Sequence, residues 1–159
     1  MTGDRPKLAA YGRRIAAKAT YEKGRAFVNA AMLIRPRAGY EHVFFHLLCQ
    51  GVEALLKGLL LAIDHSRFNS NLTQLEDLAP LAREAAAAAG LKSPRPTLLA
   101  ELERLSDLYS AHIPRYGTTY DLVVKPSSVQ SDRVLRRIVA LMRFVDRGAS
   151  KCGACLKSV

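Results

Sequence analysis

Apolar residues recur along most of this chain at spacings of three and four, the repeat of an α-helix, and two-residue alternation is scarce. A first helix is predicted from about Pro6 or Lys7 to Ile34. Leu8, Tyr11, Ile15, Phe27, Ala31 and Ile34 would form its inward face, and Gly24 is a point where it can break. RPRAG ends it, because Pro36 lacks an amide donor and Gly39 permits a turn. A second helix is predicted over residues 40–64, followed by a polar loop, DHSRFNSN. Thr73 with Glu76 three residues on reads as a capping box for a third helix, 74–89, in which Pro80 argues for a kink or an early start. Its alanine run favours helix and Gly90 is placed to stop it.

KSPRP, residues 92–96, reads as a linker. A fourth helix, about 97–112, sets Leu98, Leu102, Leu105 and Tyr109 on one side, and Pro114 breaks it. After the irregular RYGTTYDLVVKPSS, a fifth helix is predicted over 128–147, capped by Ser127 or Ser128. Four to five helices joined by short loops imply an all-α, up-and-down bundle with helices 2 and 4 central. The chain divides into a basic helical extension (1–19), the helical domain (20–147) and a flexible C-terminal tail (148–159).

Two helices carry more than a core pattern. In HVFFHLLCQGVEALLKGLLLAID, the polar residues His42, His46, Gln50, Glu53, Lys57 and Asp64 fall within a sector of roughly 80°. That leaves one narrow polar stripe on an otherwise apolar rod. The fifth helix turns Val134, Leu135, Ile138, Leu141, Met142 and Val145 to one side. Arg133, Arg136, Arg137, Arg143 and Arg147 occupy roughly 120° of the other. Guanidinium groups offer planar, forked donors to phosphate oxygens, so this face suits a polyanion.

Composition supports that direction. The chain has 159 residues, 49% of them hydrophobic, enough for one domain with a core. Lys and Arg outnumber Asp and Glu by 24 to 14, a net charge of +10, which favours RNA, nucleotides or another acidic partner. The three cysteines do not form a disulfide framework. Cys49 belongs to the apolar helix, and Cys152 and Cys155 form a CxxC with no second ligand pair beside it. His42 and His46, one turn apart, have the spacing of a metal pair, but no third ligand stands out. No metal and no cofactor are expected. The start has no apolar signal core and no uncharged run of membrane-spanning length is present, so a cytoplasmic protein with no membrane partner is expected.

Three segments together resemble the HEPN domain family. They are GYEHVFFHLLCQGVEALLKGLLLAI, NSNLTQLEDLAPLA and LLAELERLSDLYSAHIPRYG, and the resemblance covers about residues 20–145. A helix-2 pattern of the type Q-x-V-E-K-A-L-K-A-L is met by Gln50, Val52, Glu53, Ala54, Leu55 and Lys57, with Leu56 in place of the first Lys. An H-N/D-L-x-x-L start is met by Asn71, Leu72 and Leu75, with Ser70 where His is usual, and an L-x-x-x-Y…R-Y segment by Leu105, Tyr109, Arg115 and Tyr116.

The resemblance implies a helical bundle that dimerises, with a cleft between the copies, and either RNA or nucleotide binding or metal-free RNA cleavage. In the nuclease branch an Arg is followed four to six residues later by a His. Here Arg115 is followed by Tyr120 where that His would stand, and a Tyr of ordinary pKa is a poor base at neutral pH. The resemblance therefore implies an RNA- or nucleotide-binding, toxin-like or defence-related homodimer with an altered or absent ribonuclease site. Arg115 would bind phosphate, Tyr116 would pack or stack, and Tyr120 would fill the vacated position. The His42–Lys57 stripe would line the groove. The alternatives are an active endoribonuclease of a toxin–antitoxin or phage-defence system, and a non-catalytic interaction module. An antitoxin or nucleotidyltransferase would be the partner protein.

Overall fold

The computed structural model describes residues 5–34, 41–70, 77–112 and 131–151, with side chains described over 9–34, 43–70, 77–107 and 132–151. Among the described residues there are five helices and no strand, an all-α fold. They are α1 (Arg5–Ile34), α2 (Glu41–Phe68), α3 (Leu78–Ala88), α4 (Pro96–His112) and α5 (Ser131–Lys151). Helix α2 is central: it packs along α1 and also meets α3, α4 and α5. Phe44, Leu48, Val52, Leu55, Leu56, Leu59 and Leu60 on it are fully buried.

The α1–α2 seam rests on glycine. A Cβ at Gly24 would lie 2.6 Å from the Leu55 amide nitrogen and 2.8 Å from the Gly51 carbonyl oxygen. A Cβ at Gly51 would lie 2.6 Å from Val28, and one at Gly58 would lie 2.8 Å from the Tyr21 nitrogen. The pairings 21 with 58 and 28 with 51 show that the two helices run antiparallel. Such close backbone approach needs positions without a side chain, and it lengthens the dispersion contact along the seam. Gly24 therefore does not break α1; it lets an unbroken helix lie against its neighbour.

This seam also changes which face of α1 is inward. Ala17, Tyr21, Val28 and Ala31 are buried, at heptad-like spacing with Gly24 among them. Tyr11 and Ile15, expected inside, are 66% and 50% exposed, and Phe27 and Ile34 are half-buried. Contact with a glycine-bearing partner selects this face: Tyr21 lies against Gly58 and Val28 against Gly51.

The other elements depart from expectation at their ends. Helix α2 runs to Phe68, but Asp64 has extended torsions (φ −150°, ψ 90°), so its last turn is a separate piece. The Asp64 carboxylate accepts hydrogen bonds from the Arg67 amide and the Ser66 hydroxyl, capping that turn. These bonds, the Arg67 amide first, hold its carboxyl below the usual carboxylate range. The expected polar loop thus contains a helical turn whose Phe68 is buried. By length and composition Val43–Phe68 would also serve to cross a membrane; here 56% of its apolar window is buried inside the protein.

Helix α3 begins at Leu78, not at 74, because Asp77 has extended backbone torsions. Thr73 and Glu76, the expected capping box, lie outside the described residues. The Leu78 amide instead donates to the Ser106 hydroxyl on α4, so the cap is tertiary. Pro80 is then tolerated in the first turn. At the other end Gly90 adopts φ 60°, and the amides of Gly90 and Leu91 return to Ala87 and Ala86, a Schellman stop.

Helix α4 starts on Pro96, where a missing amide costs no internal bond. The Cys49 thiol donates to the Leu105 carbonyl, joining α2 to α4; burial, with Glu53 nearby, pushes that thiol's pKa up to about 12. Helix α5 continues four residues past its expected end, to Lys151. The extra turn is held because Gly148 packs against Leu59, Ala89 and Leu91, Ala149 is buried, and the Lys151 ammonium donates to the Gly90 carbonyl. Ser127, Ser128, Cys152 and Cys155 lie outside the described residues.

Candidate functional site

Helix α5 has the strongest two-sidedness in the molecule. Val134, Ile138, Leu141 and Val145 are buried to within 1% of complete exclusion and fix which way the helix is rolled. One anchor sets the roll towards its C-terminal end. The Tyr21 hydroxyl, on α1, donates to the Asp146 carboxylate. Tyr21 is 1% exposed, and burial together with that carboxylate raises its phenol pKa to about 12. The bond ties Asp146 to α1, and Asp146 enters none of the ion pairs formed among the described residues.

With that roll, Arg137, Arg143 and Arg147 face the linker between α3 and α4. The two walls enclose an open cleft of about 520 Å³. Lys92, Ser93, Pro94 and Arg95 form the linker wall; Arg137, Ala140, Arg143, Phe144 and Arg147 form the helix wall, with Leu98 between them. Pro94, Leu98 and Phe144 are buried and make an apolar floor, while the cations stand around it. Five lining residues are basic and none is acidic.

The cations are partly pre-set. The Arg137 guanidinium donates to the Thr97 hydroxyl at 2.9 Å, which fixes it at the start of α4. Lys92, Arg95, Arg143 and Arg147 enter none of the ion pairs formed among the described residues. Like charges gathered in a concavity raise its positive potential, because the low-dielectric walls focus the field.

The expected five-arginine face is therefore not uniform. Arg143, Arg147 and Arg137 share the cleft; Arg136 is exposed, with its Nε donating to the Asp132 carbonyl. Arg133 is turned to α4, where its Nε lies 3.0 Å from Glu101. Glu101 is 3% exposed and also receives Arg104 at 3.7 Å. A buried carboxylate between two guanidiniums is charge-compensated, and it ties α4 to α5.

On α2, Lys57 donates to Glu53 at 2.5 Å, with both side chains about four-fifths buried. Gln50 is half-buried and His46 exposed, so the stripe follows the least covered edge of α2. The side chain of His42, and all of Arg115, Tyr116 and Tyr120, lie outside the described residues. Among the described residues no three His, Cys, Asp or Glu side chains cluster as a metal site.

Sequence reasoning missed Lys92, Arg95 and Phe144 as site residues. The first two are the cations of KSPRP, read only as a linker, and Phe144 sits between Arg143 and Arg147 at the border of the apolar and basic faces. Compared with family models, with curated proteins and with solved structures, the chain finds no match.

Proposed function

We propose that this protein is a HEPN-like, cytoplasmic RNA-binding domain whose phosphate-contacting surface is the outer face of α5 together with the α3–α4 linker. The observation that carries the reading is the convergence of Lys92, Arg95, Arg137, Arg143 and Arg147 on one cleft without an acidic residue. Phosphate oxygens supply the missing counter-charge, and forked guanidiniums match their geometry. The exposed Arg136 extends the same face beyond the cleft, as a strand of several phosphates requires.

Binding of a fluorescently labelled single-stranded RNA, followed by anisotropy, tests this. Several phosphate contacts imply a steep loss of affinity, on the order of a hundredfold, between about 50 and 200 mM salt. Replacing Arg143 and Arg147 together by Ala should flatten the salt slope and weaken binding. Affinity indifferent to salt, or no retention of RNA, would sink the reading.

A further inference from the structure

We propose that the outer face of α1 is a docking surface for an anionic lipid bilayer, with the helix lying flat in the headgroup layer. Among the described residues, Tyr11, Ile15 and Leu33 are large hydrophobic side chains left 66%, 50% and 87% exposed, and all three belong to this one helix. At about 100° per residue they fall, with the exposed Ala19 and Ala26, within roughly 80° of one another, on the side opposite the buried Ala17, Tyr21 and Gly24.

The seam accounts for the bareness of the N-terminal half of that stripe. Helix α2 kinks at Asp64, and the register that sets Tyr21 against Gly58 carries Ile15 to the level of Asp64. Near that level the cover ends: Tyr11 to Ala16, more than a full turn, are all exposed.

Charge selects the occupant. From Arg5 to Tyr21 the chain carries Arg5, Lys7, Arg13, Arg14 and Lys18 and no Asp or Glu. On the helical projection Arg14 and Lys18 flank the stripe on one side and Lys23 on the other. Glu22, the only acid in α1, pairs with Lys18 at 3.8 Å. An apolar crest with cations along its flanks is the pattern by which a helix enters an anionic interface. A nucleic-acid backbone would call for cations on the crest, where α1 carries Tyr11 and Ile15. Because the crest lies opposite the α2 seam, the bundle stays clear of the lipid. Such a contact is peripheral and requires neither a signal core nor a spanning run. It is independent of the proposed RNA contacts on α5.

The chain has no tryptophan, so Tyr11→Trp sets a single reporter on the stripe. With phosphatidylcholine vesicles containing phosphatidylserine, its emission should move to shorter wavelength and become shielded from acrylamide. With phosphatidylcholine alone it should not change. Ile15→Asp in that background should lower partitioning at least about tenfold, because one aliphatic side chain no longer enters the interface. Ile15 is exposed, so helicity by circular dichroism should be unchanged. Arg14→Ala with Lys18→Ala should lower partitioning roughly 25-fold, about fivefold for each cation. Arg143→Ala with Arg147→Ala, on α5, should leave the emission shift in place.

No shift on the anionic vesicles, or an equal shift on phosphatidylcholine, would overturn the proposal. So would a shift that grows with protein concentration without lipid, the mark of a second copy on the stripe, or one produced by RNA and not by vesicles. Vesicle binding lost in the α5 variant and retained in Ile15→Asp would move the contact to α5 and overturn it as well. Failure of RNA to bind would remove the reading of α5 and leave the vesicle result untouched.

Discussion

The α1–α2 seam and the α4–α5 edge are built from opposite materials. The seam is apolar and buried, with three glycines letting two long helices touch backbone to backbone. The edge is joined by polar groups, Arg133 on Glu101 and Arg137 on Thr97, and beyond them it opens into a charged cleft. Close packing makes the first region intolerant of added volume, whereas the second has room and unbalanced charge. Stability is concentrated in one and the proposed phosphate contacts in the other, and α5 joins them by facing both.

Substitutions can break this contrast or sharpen it. The largest loss is expected for Leu55→Ala, a fully buried side chain of α2 set against Gly24: about 2–5 kcal/mol, read from denaturant unfolding. Gly51→Val should follow at about 1–3 kcal/mol, because the new side chain meets Val28 and the Gly24 carbonyl at once. If either variant unfolds like the parent chain, the seam is not the stabilising region.

Tyr21→Phe should cost less, on the order of 1 kcal/mol, for a lost hydrogen bond to a charged acceptor. Its signature is a pH dependence. The folded phenol pKa is raised from 10.0 to about 12, so the native state keeps a proton that the unfolded chain releases first. Stability from this group is therefore present below pH 10 and falls as pH rises towards about 12. Tyr21→Phe should remove that part of the alkaline decline; an unchanged profile would show that burial and Asp146 together do not hold the phenol protonated.

The smallest effect on stability is expected at the edge itself. Arg143→Ala with Arg147→Ala should change unfolding free energy by no more than about 0.5 kcal/mol, since exposed charges contribute little. The same change should abolish most of the RNA affinity. A thiol probe gives a further comparison: with Cys152→Ser and Cys155→Ser in place, Cys49 should stay unreactive near neutral pH until denaturant is added. Its burial and raised pKa leave almost no accessible thiolate.

The helices and their number were legible in the sequence because amphipathic spacing is a local property. Their ends were less so. The start of α3 depends on Ser106, twenty-eight residues away, and the last turn of α5 on Gly90, so neither stop was written beside the residue it concerns. The inner face of α1 was misjudged because it is set by where the glycines of α2 stand, Val28 lying opposite Gly51 and Tyr21 opposite Gly58. On α5 the division into apolar and basic faces was plain. That three of its arginines meet Lys92 and Arg95 required the fold, since a linker's cations carry no periodicity. Glu101 was readable in principle: it lies three residues after Leu98 and four before Leu105, on the core side of α4.

The pairing of Arg133 with Glu101 has an electrostatic consequence along the length of α5. Glu101 takes up the charge of Arg133 at the beginning of the helix, whereas Arg137, Arg143 and Arg147 stand along the cleft outside every ion pair formed among the described residues. The positive charge left over therefore forms a ridge down one side of the rod and is not confined to one tip. A long anion drifting towards it experiences a torque as well as a pull, and lies along that ridge before contact.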